Sequence, residues 1–121
     1  MRRGEIWTVS GGGYAGKPRP AVIVQDDRFT ETKSITVCIL TTTETDAELA
    51  RLRVTPSDQN GLREPSTLMV DKITTVSRAR VGRRIGRLED ENVVRLNRAI
   101  LVFLGLAGSI ARRQATQRRT P

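Results

Sequence analysis

Histidine is absent from all 121 residues. Catalytic triads, histidine acid/base pairs and the common zinc sites are thereby excluded, because each depends on imidazole. The single cysteine, Cys38, permits neither an internal disulfide nor a cysteine-rich metal centre, and fits a reducing cytoplasm. Neither a metal nor a cofactor is expected. Aromatics are also scarce: Trp7, Tyr14, Phe29 and Phe103 are all there are. That is too few for the base-stacking sheets of the common RNA-binding modules. Trp7 therefore reads as a core or subunit-contact residue and Tyr14 as a loop residue. The longest apolar run, Ala99 to Leu104, falls far short of the ~20 residues that a membrane span needs. No apolar stretch follows Met1-Arg2-Arg3 as it would in a secretion signal, so a cytoplasmic chain without a membrane segment is expected.

Acid is the scarcer charge, 13 Asp and Glu against 21 Lys and Arg, for a net +8. Half of that excess sits in Arg112, Arg113, Arg118 and Arg119, leaving +4 on residues 1–107. The basic balance favours polyanionic partners without specifying a fold. The length suits one domain, 1–107, followed by a basic tail, 108–121, whose lack of apolar periodicity predicts disorder.

Short β-branched runs separated by turn residues fill the first three quarters of the chain and predict a small β domain. Strands are expected at Ile6–Val9, Pro20–Gln25, Ser34–Leu40, near Leu49–Val54, at Ser66–Val70 and Ile73–Val76 with a kink at Asp71-Lys72, and at Arg83–Leu88. Ser34–Leu40 sets Ile35, Val37 and Ile39 on one face and looks like a central strand. The glycine-rich segment Ser10–Pro18 predicts a mobile loop. Acids at Glu89-Asp90-Glu91 and apolar residues at Val93, Leu96, Ile100, Phe103 and Leu104 predict one helix over roughly 90–106. Its second half is apolar nearly all round, more than one covered surface needs, and a homodimer contact would bury the rest.

Glycines ahead of Lys17 suggest phosphate binding, but Pro18 and then a strand follow, which excludes a nucleotide P-loop. Arg19 stands between Pro18 and Pro20, whose rings restrict the backbone on both sides, so its side chain is aimed. On residues alone it serves equally well as a phosphate ligand or as the partner of an acid where the strand begins. Thr41-Thr42-Thr43 offer hydroxyls at the end of the central strand, and are also ordinary strand and turn residues. Asp71-Lys72 interrupts a β-forming run and reads most simply as a solvated face. Cys38 reads as a small core residue.

In chain order, Arg3-Gly4-Glu5-Ile6-Trp7, then Lys17-Pro18-Arg19-Pro20-Ala21-Val22-Ile23-Val24-Gln25, then Gly61-Leu62 with Ser66, then Asp71-Lys72-Ile73-Thr74-Thr75-Val76, then Ile85-Gly86-Arg87-Leu88 and the final helix resemble the MazF/PemK/Kid toxins of bacterial toxin–antitoxin systems. The resemblance spans about residues 3–106. It implies a mostly β fold, an SH3-like small barrel with a C-terminal helix, which the gyrase-poisoning CcdB toxins share, and a homodimer. It further implies sequence-selective cleavage of single-stranded RNA, messenger RNA in particular, without metal, arresting translation and growth, and a MazE-like antitoxin as partner. Carried over residue by residue, Arg19, Thr41 and Asp71 are expected to be catalytic, and Lys17, Thr42, Ser66 and Lys72 to contact RNA. Thr42 takes the place of Thr41 if the register shifts by one.

Elementary chemistry agrees with that carry-over. Attack by a neighbouring 2′-OH needs its proton removed, charge on the phosphate oxygens stabilised and the departing 5′-oxygen protonated. Arg19 can stabilise the phosphorane through its forked donors, Thr41 can hydrogen-bond a non-bridging oxygen, and Asp71 can take the proton. The chain departs from the family in three places: its glycine-rich loop replaces a polar or acidic flap, Met69 stands where some members have a catalytic arginine, and Lys72 replaces a neutral polar residue. Two other readings remain. A CcdB-like gyrase inhibitor is disfavoured because those relatives end in Trp-Gly-Ile, whereas this chain ends in Arg-Arg-Thr-Pro and has only Trp7. An inactive nucleic-acid-binding barrel would use the basic charge alone.

Overall fold

The computed structural model describes residues 1–11, 17–29, 31–43 and 50–107; the tip of the expected loop, 12–16, and the expected tail, 108–121, lie outside them. Among the described residues are seven strands, β1 (Glu5–Val9), β2 (Arg19–Ile23), β3 (Ser34–Thr41), β4 (Arg51–Val54), β5 (Ser66–Met69), β6 (Thr74–Ser77) and β7 (Val81–Arg87), and one α-helix, α1 (Asp90–Phe103). The strands run β4-β5-β3-β2-β1-β7, every pair antiparallel, with β6 on β3. β3 is the hub: β2 lies along one side, while β6 and then β5 take up the other.

Alternation along β3 supplies both halves of the core. Val37 and Ile39 join Val9, Ala21, Ile23, Ile35 and Val76 in one cluster. Cys38 and Leu40 point the other way, into a cluster with Ile6, Val22, Leu68, Leu88 and Leu96 beneath α1. Because β3 is flanked on both sides and covered on both faces, Val37 to Leu40 are all buried, as a central strand should be. Burial also pushes the Cys38 thiol up to about 12. The folded protein should therefore resist thiol alkylation at neutral pH and react only on unfolding; rapid labelling of the native chain, followed by mass spectrometry, would contradict this.

Several element ends differ from expectation for identifiable reasons. β2 stops at Ile23 because the Gln25 amide anchors the next turn, donating to Phe29 O (2.6 Å) and Thr32 Oγ1 (2.9 Å) while accepting from Thr36 N (3.1 Å). β5 ends at Met69, where Val70–Lys72 form the expected kink as a single 3-10 turn. Gly105, at φ +76°, ends α1 before residue 106 in the left-handed conformation that glycine adopts without strain. α1 lays Val93, Leu96, Ala99 and Ile100 on the core. Leu101, Val102, Phe103 and Leu104 stay between 44% and 61% exposed. No helix among the described residues is long and apolar enough to cross a membrane.

The segment between β4 and β5 is fastened by Asn60, which is fully buried. Its Oδ1 accepts from the N–H groups of Ser57 and Leu62, both at 3.0 Å, and its Nδ2 donates to Thr55 O (2.9 Å) and to Glu89 (3.1 Å). The Ser57 hydroxyl bonds the same Glu89 carboxylate, which stands at the N-terminus of α1 where negative charge is favoured. Arg87 N–H donates to Gln59 O at 2.9 Å, so the segment lies directly on β7. Contact there is backbone on backbone: a Cβ on Gly86 would sit 2.3 Å from the Asn60 carbonyl, and one on Gly61 2.0 Å from Ile85 O.

Candidate nucleic-acid interface

The corner where β2, β3, β5 and β4 end carries a polar row built by strand register. Thr41 pairs with Thr67, and Thr67 pairs with Arg53, so the three side chains share a face. Arg53 Nη1 donates to Thr67 Oγ1 at 3.0 Å. Across β2 and β3, Ala21 stands opposite Ile39, and the same register carried on by two residues sets Arg19 level with Thr41. Arg19, the first residue of β2, is exposed and shares the face of Ala21 and Ile23. Thr41, at the last position of β3, is buried except for its outer edge, and its Oγ1 accepts the Thr43 N–H at 3.2 Å. That bond fixes the hydroxyl oxygen and leaves its proton to be donated outward.

One step along the same face, Arg51 pairs in register with Met69 and forms a two-pronged ion pair with Asp71, 2.6 Å from Nε to Oδ1 and 3.1 Å from Nη2 to Oδ2. The hydrogen bonds from Arg51 are the main reason that the Asp71 carboxyl lies below its ordinary value of 3.8, partial burial acting against them. A carboxylate held low and bonded on both oxygens is a weak proton acceptor near neutrality. Its evident effect is to hold Arg51 rigidly beside the threonine row. Lys72, next along the turn, is exposed.

A carboxyl whose folded pKa is depressed, as that of Asp71 is, contributes stability that is complete above its unfolded value and lost as pH falls through the folded one. Asp71→Asn is expected to lower stability at neutral pH by about 2 kcal/mol, since hydrogen bonds to a charged group are at stake. The deficit should shrink as pH falls below the ordinary value of 3.8 and towards the lower folded one, where Asp71 of the folded parent chain protonates as well. Urea unfolding at a series of pH values reads this out, and a deficit independent of pH would contradict it.

Thr42 and Ser66 face the other way, into a groove of about 550 Å³ whose walls include Pro18, Pro20, Arg63, Arg83 and Arg84. Ser66 is buried and donates its hydroxyl to Glu64 O at 2.9 Å. Lys17, one residue ahead of the groove-lining Pro18, is exposed. The Asn60 fastening forms one wall of this groove, since Gly61 and Leu62 line it. The two prolines thus belong to the groove while Arg19 between them belongs to the opposite face, a direct result of strand alternation.

The seven expected site residues therefore fall into three places. Thr41 and Arg19 share the row, Asp71 stands beside it on Arg51 with Lys72 following, and Thr42 and Ser66 line the groove, with Lys17 next to its Pro18 in the chain. Sequence reasoning missed Thr67, Arg51 and Arg53 on the first face and Arg63, Arg83 and Arg84 in the groove. A signal was present in Arg51-Leu52-Arg53-Val54, whose period-two alternation puts two arginines on one face of β4.

The chain is similar to known proteins both in sequence and in fold. Residues 2–104 match the family of PemK-like, MazF-like toxins of type II toxin–antitoxin systems. A Mycolicibacterium smegmatis protein named probable endoribonuclease MazF is 53% identical over 109 residues, covering 89% of this chain and all of its own length. A Mycobacterium tuberculosis protein named endoribonuclease MazF9 is 30% identical, covering 88% of this chain and 98% of its own. Among solved structures, an endoribonuclease in complex with its cognate antitoxin, from a mycobacterial species, superposes with a TM-score of 0.74 at 25% identity, covering 88% of this chain and 96% of that one.

Proposed function

Because this chain belongs to the PemK-like, MazF-like toxins of type II toxin–antitoxin systems, we propose that it is an endoribonuclease that cuts single-stranded RNA by attack of the 2′-OH on the adjacent phosphorus. The products are a 2′,3′-cyclic phosphate and a 5′-OH, and the consequence in the cell is arrested translation. The observation that carries the reading is the register-built row of Thr41, Thr67 and Arg53 with Arg19 level at its end. Such a row offers fixed hydroxyl and guanidinium donors to the non-bridging oxygens of one phosphate, where charge develops in the transition state.

In this mechanism the 2′-oxygen bonds to phosphorus as its proton passes to water, Arg19 stabilises the phosphorane and supplies the proton that the departing 5′-oxygen takes up as its bond to phosphorus breaks, and Thr41 donates to a non-bridging oxygen. Asp71 acts through Arg51 as a positioning residue. Lys17, Thr42, Ser66 and Lys72 hold the flanking nucleotides. None of these steps calls for a metal or cofactor, since positioning and charge stabilisation supply the acceleration. The protein works in the cytoplasm as a homodimer, the exposed apolar residues of α1 meeting those of a second copy. Its partner is a cognate MazE-like antitoxin, as one mycobacterial relative is seen with its own.

The test is to incubate the purified chain with diverse single-stranded RNA in excess chelator and to sequence the fragment ends. Recurrent cuts bearing 5′-OH and cyclic phosphate ends are expected. Intact RNA in the presence of demonstrably folded protein would overturn the reading in favour of gyrase inhibition or simple nucleic-acid binding.

A further inference from the structure

A second basic recess adjoins the groove at Arg84, where β1 and β7 meet the segment ahead of β1. It measures about 450 Å³ and is lined by Arg2, Arg3, Glu5, Asp27, Arg84 and Arg87. Arg84 also lines the groove, so the two recesses are contiguous through one side chain. β7 pairs with β1 on one side and meets the backbone of the 57–62 segment on the other.

The two carboxylates in the recess are already committed to fixed donors. Asp27 Oδ1 accepts the Arg3 N–H at 2.6 Å. Glu5 accepts the Arg2 N–H (2.7 Å) and Trp7 Nε1 (3.1 Å) and pairs with Arg84 (3.0 Å). Burial works to raise the Glu5 pKa, yet these bonds and the charge of Arg84 outweigh it and the carboxyl stays ionised below its ordinary value. The guanidinium groups are less committed. Arg84 and Arg87 remain about half exposed, Arg87 meets Asp90 only at 3.5 Å, and Arg2 has no side-chain partner among the described residues.

We propose that this recess binds the phosphodiester backbone of the RNA strand as it leaves the groove past Arg84, without regard to sequence. The proposal rests on the reading of the chain as an RNA-cutting enzyme. Every residue lining the recess is charged. A phosphate backbone needs nothing more than forked donors, whereas a peptide partner, even an acidic one, takes most of its affinity from apolar and aromatic anchors seated in pockets. Bases bound in the groove set the cut, and this track adds affinity that depends on strand length and salt.

The experiment uses the full chain and 2′-O-methyl-uridine oligonucleotides, which lack the nucleophile and stay whole: a trinucleotide, and a strand long enough to run from the groove across β7. Affinity is measured against salt for the parent, for Arg2→Gln/Arg87→Gln and for Arg2→Lys/Arg87→Lys, with thermal unfolding to show that all three fold. For the long strand the glutamine pair should lower the slope of log affinity against log salt by about 1.4, or 0.7 for each phosphate that is no longer neutralised. The lysine pair should restore the slope, and trinucleotide binding should not change.

An unchanged slope for the long strand overturns the track. So does an equal loss for the trinucleotide, which would put these arginines in the groove, or a loss confined to binding of a polyglutamate peptide. Cleavage by the parent chain with an unaffected slope would remove only the track. A parent that neither cuts RNA nor binds these strands would remove the enzymatic reading with it.

Discussion

Replacing Arg19 with alanine is expected to lower RNA cleavage about 100- to 1,000-fold, the usual effect of deleting one donor aimed at developing charge. The chain has no histidine, so no imidazole is at hand to share that burden. Arg19 is exposed at the first position of β2, and its backbone is restricted by Pro18 and Pro20 whatever the side chain. The Arg19→Ala protein should therefore remain folded, which thermal unfolding checks. Arg19→Lys keeps the charge but loses the planar fork, and should fall between the two. Cleavage rates measured under single-turnover conditions decide the matter. An Arg19→Ala protein that cuts at the parental rate would remove this residue from the mechanism and leave Arg53 and Arg51 as the donors on that face.

The second large effect concerns folding. Gly86→Ala is expected to destabilise the domain by about 3 kcal/mol or more, because the new methyl group meets backbone, which cannot swing away as a side chain end would. It would stand 2.3 Å from both the carbonyl carbon and oxygen of Asn60 and 2.6 Å from Gln59 O. Relief requires the 57–62 segment to lift off β7, which strains the bonds of Asn60 to Ser57, Leu62, Thr55 and Glu89 together. Against a total stability of ~5–15 kcal/mol, such a loss removes between about a fifth and more than half of what holds the domain folded. Gly82→Ala is the informative comparison, since its methyl group would meet the Thr8 hydroxyl at 2.4 Å. That hydroxyl sits on a rotatable side chain, so the penalty should be smaller. Equal urea midpoints for the two variants would refute this account.

Much of this architecture was legible in the residues. The alternation of Ile35, Val37 and Ile39 announced β3, and the acids at 89–91 announced α1, because hydrophobic period and end charge are local signals. Arg19 and Thr41 stood out through the flanking prolines and the strand end, which left a structural role equally open, and their catalytic assignment came from the family resemblance. What was illegible is what register alone decides. Nothing near Arg51 in the chain points to Asp71, twenty residues on, and nothing near Asn60 points to Glu89. The expected role of Asp71 as proton acceptor illustrates the gap, since its partner became visible only once β4 was set against β5. The separation of Thr41 from Thr42 onto opposite faces is likewise a plain result of strand alternation, but it acquires meaning only when each face has a defined surrounding.

The distribution of arginine along the sheet has one more effect. β4 and β7 terminate the order of strands, and each carries arginines, at 51 and 53 and at 83, 84 and 87. Wherever its outer edge is left uncovered, unlike β7 at Arg87 beneath the 57–62 segment, a terminal strand can pair with a passing chain, and like charges on it discourage copies from stacking. Those charges are screened at a few ångströms in molar salt. Raising ionic strength to strip RNA from this protein should therefore also remove what keeps its molecules apart, so that colloidal stability and freedom from nucleic acid pull in opposite directions during handling.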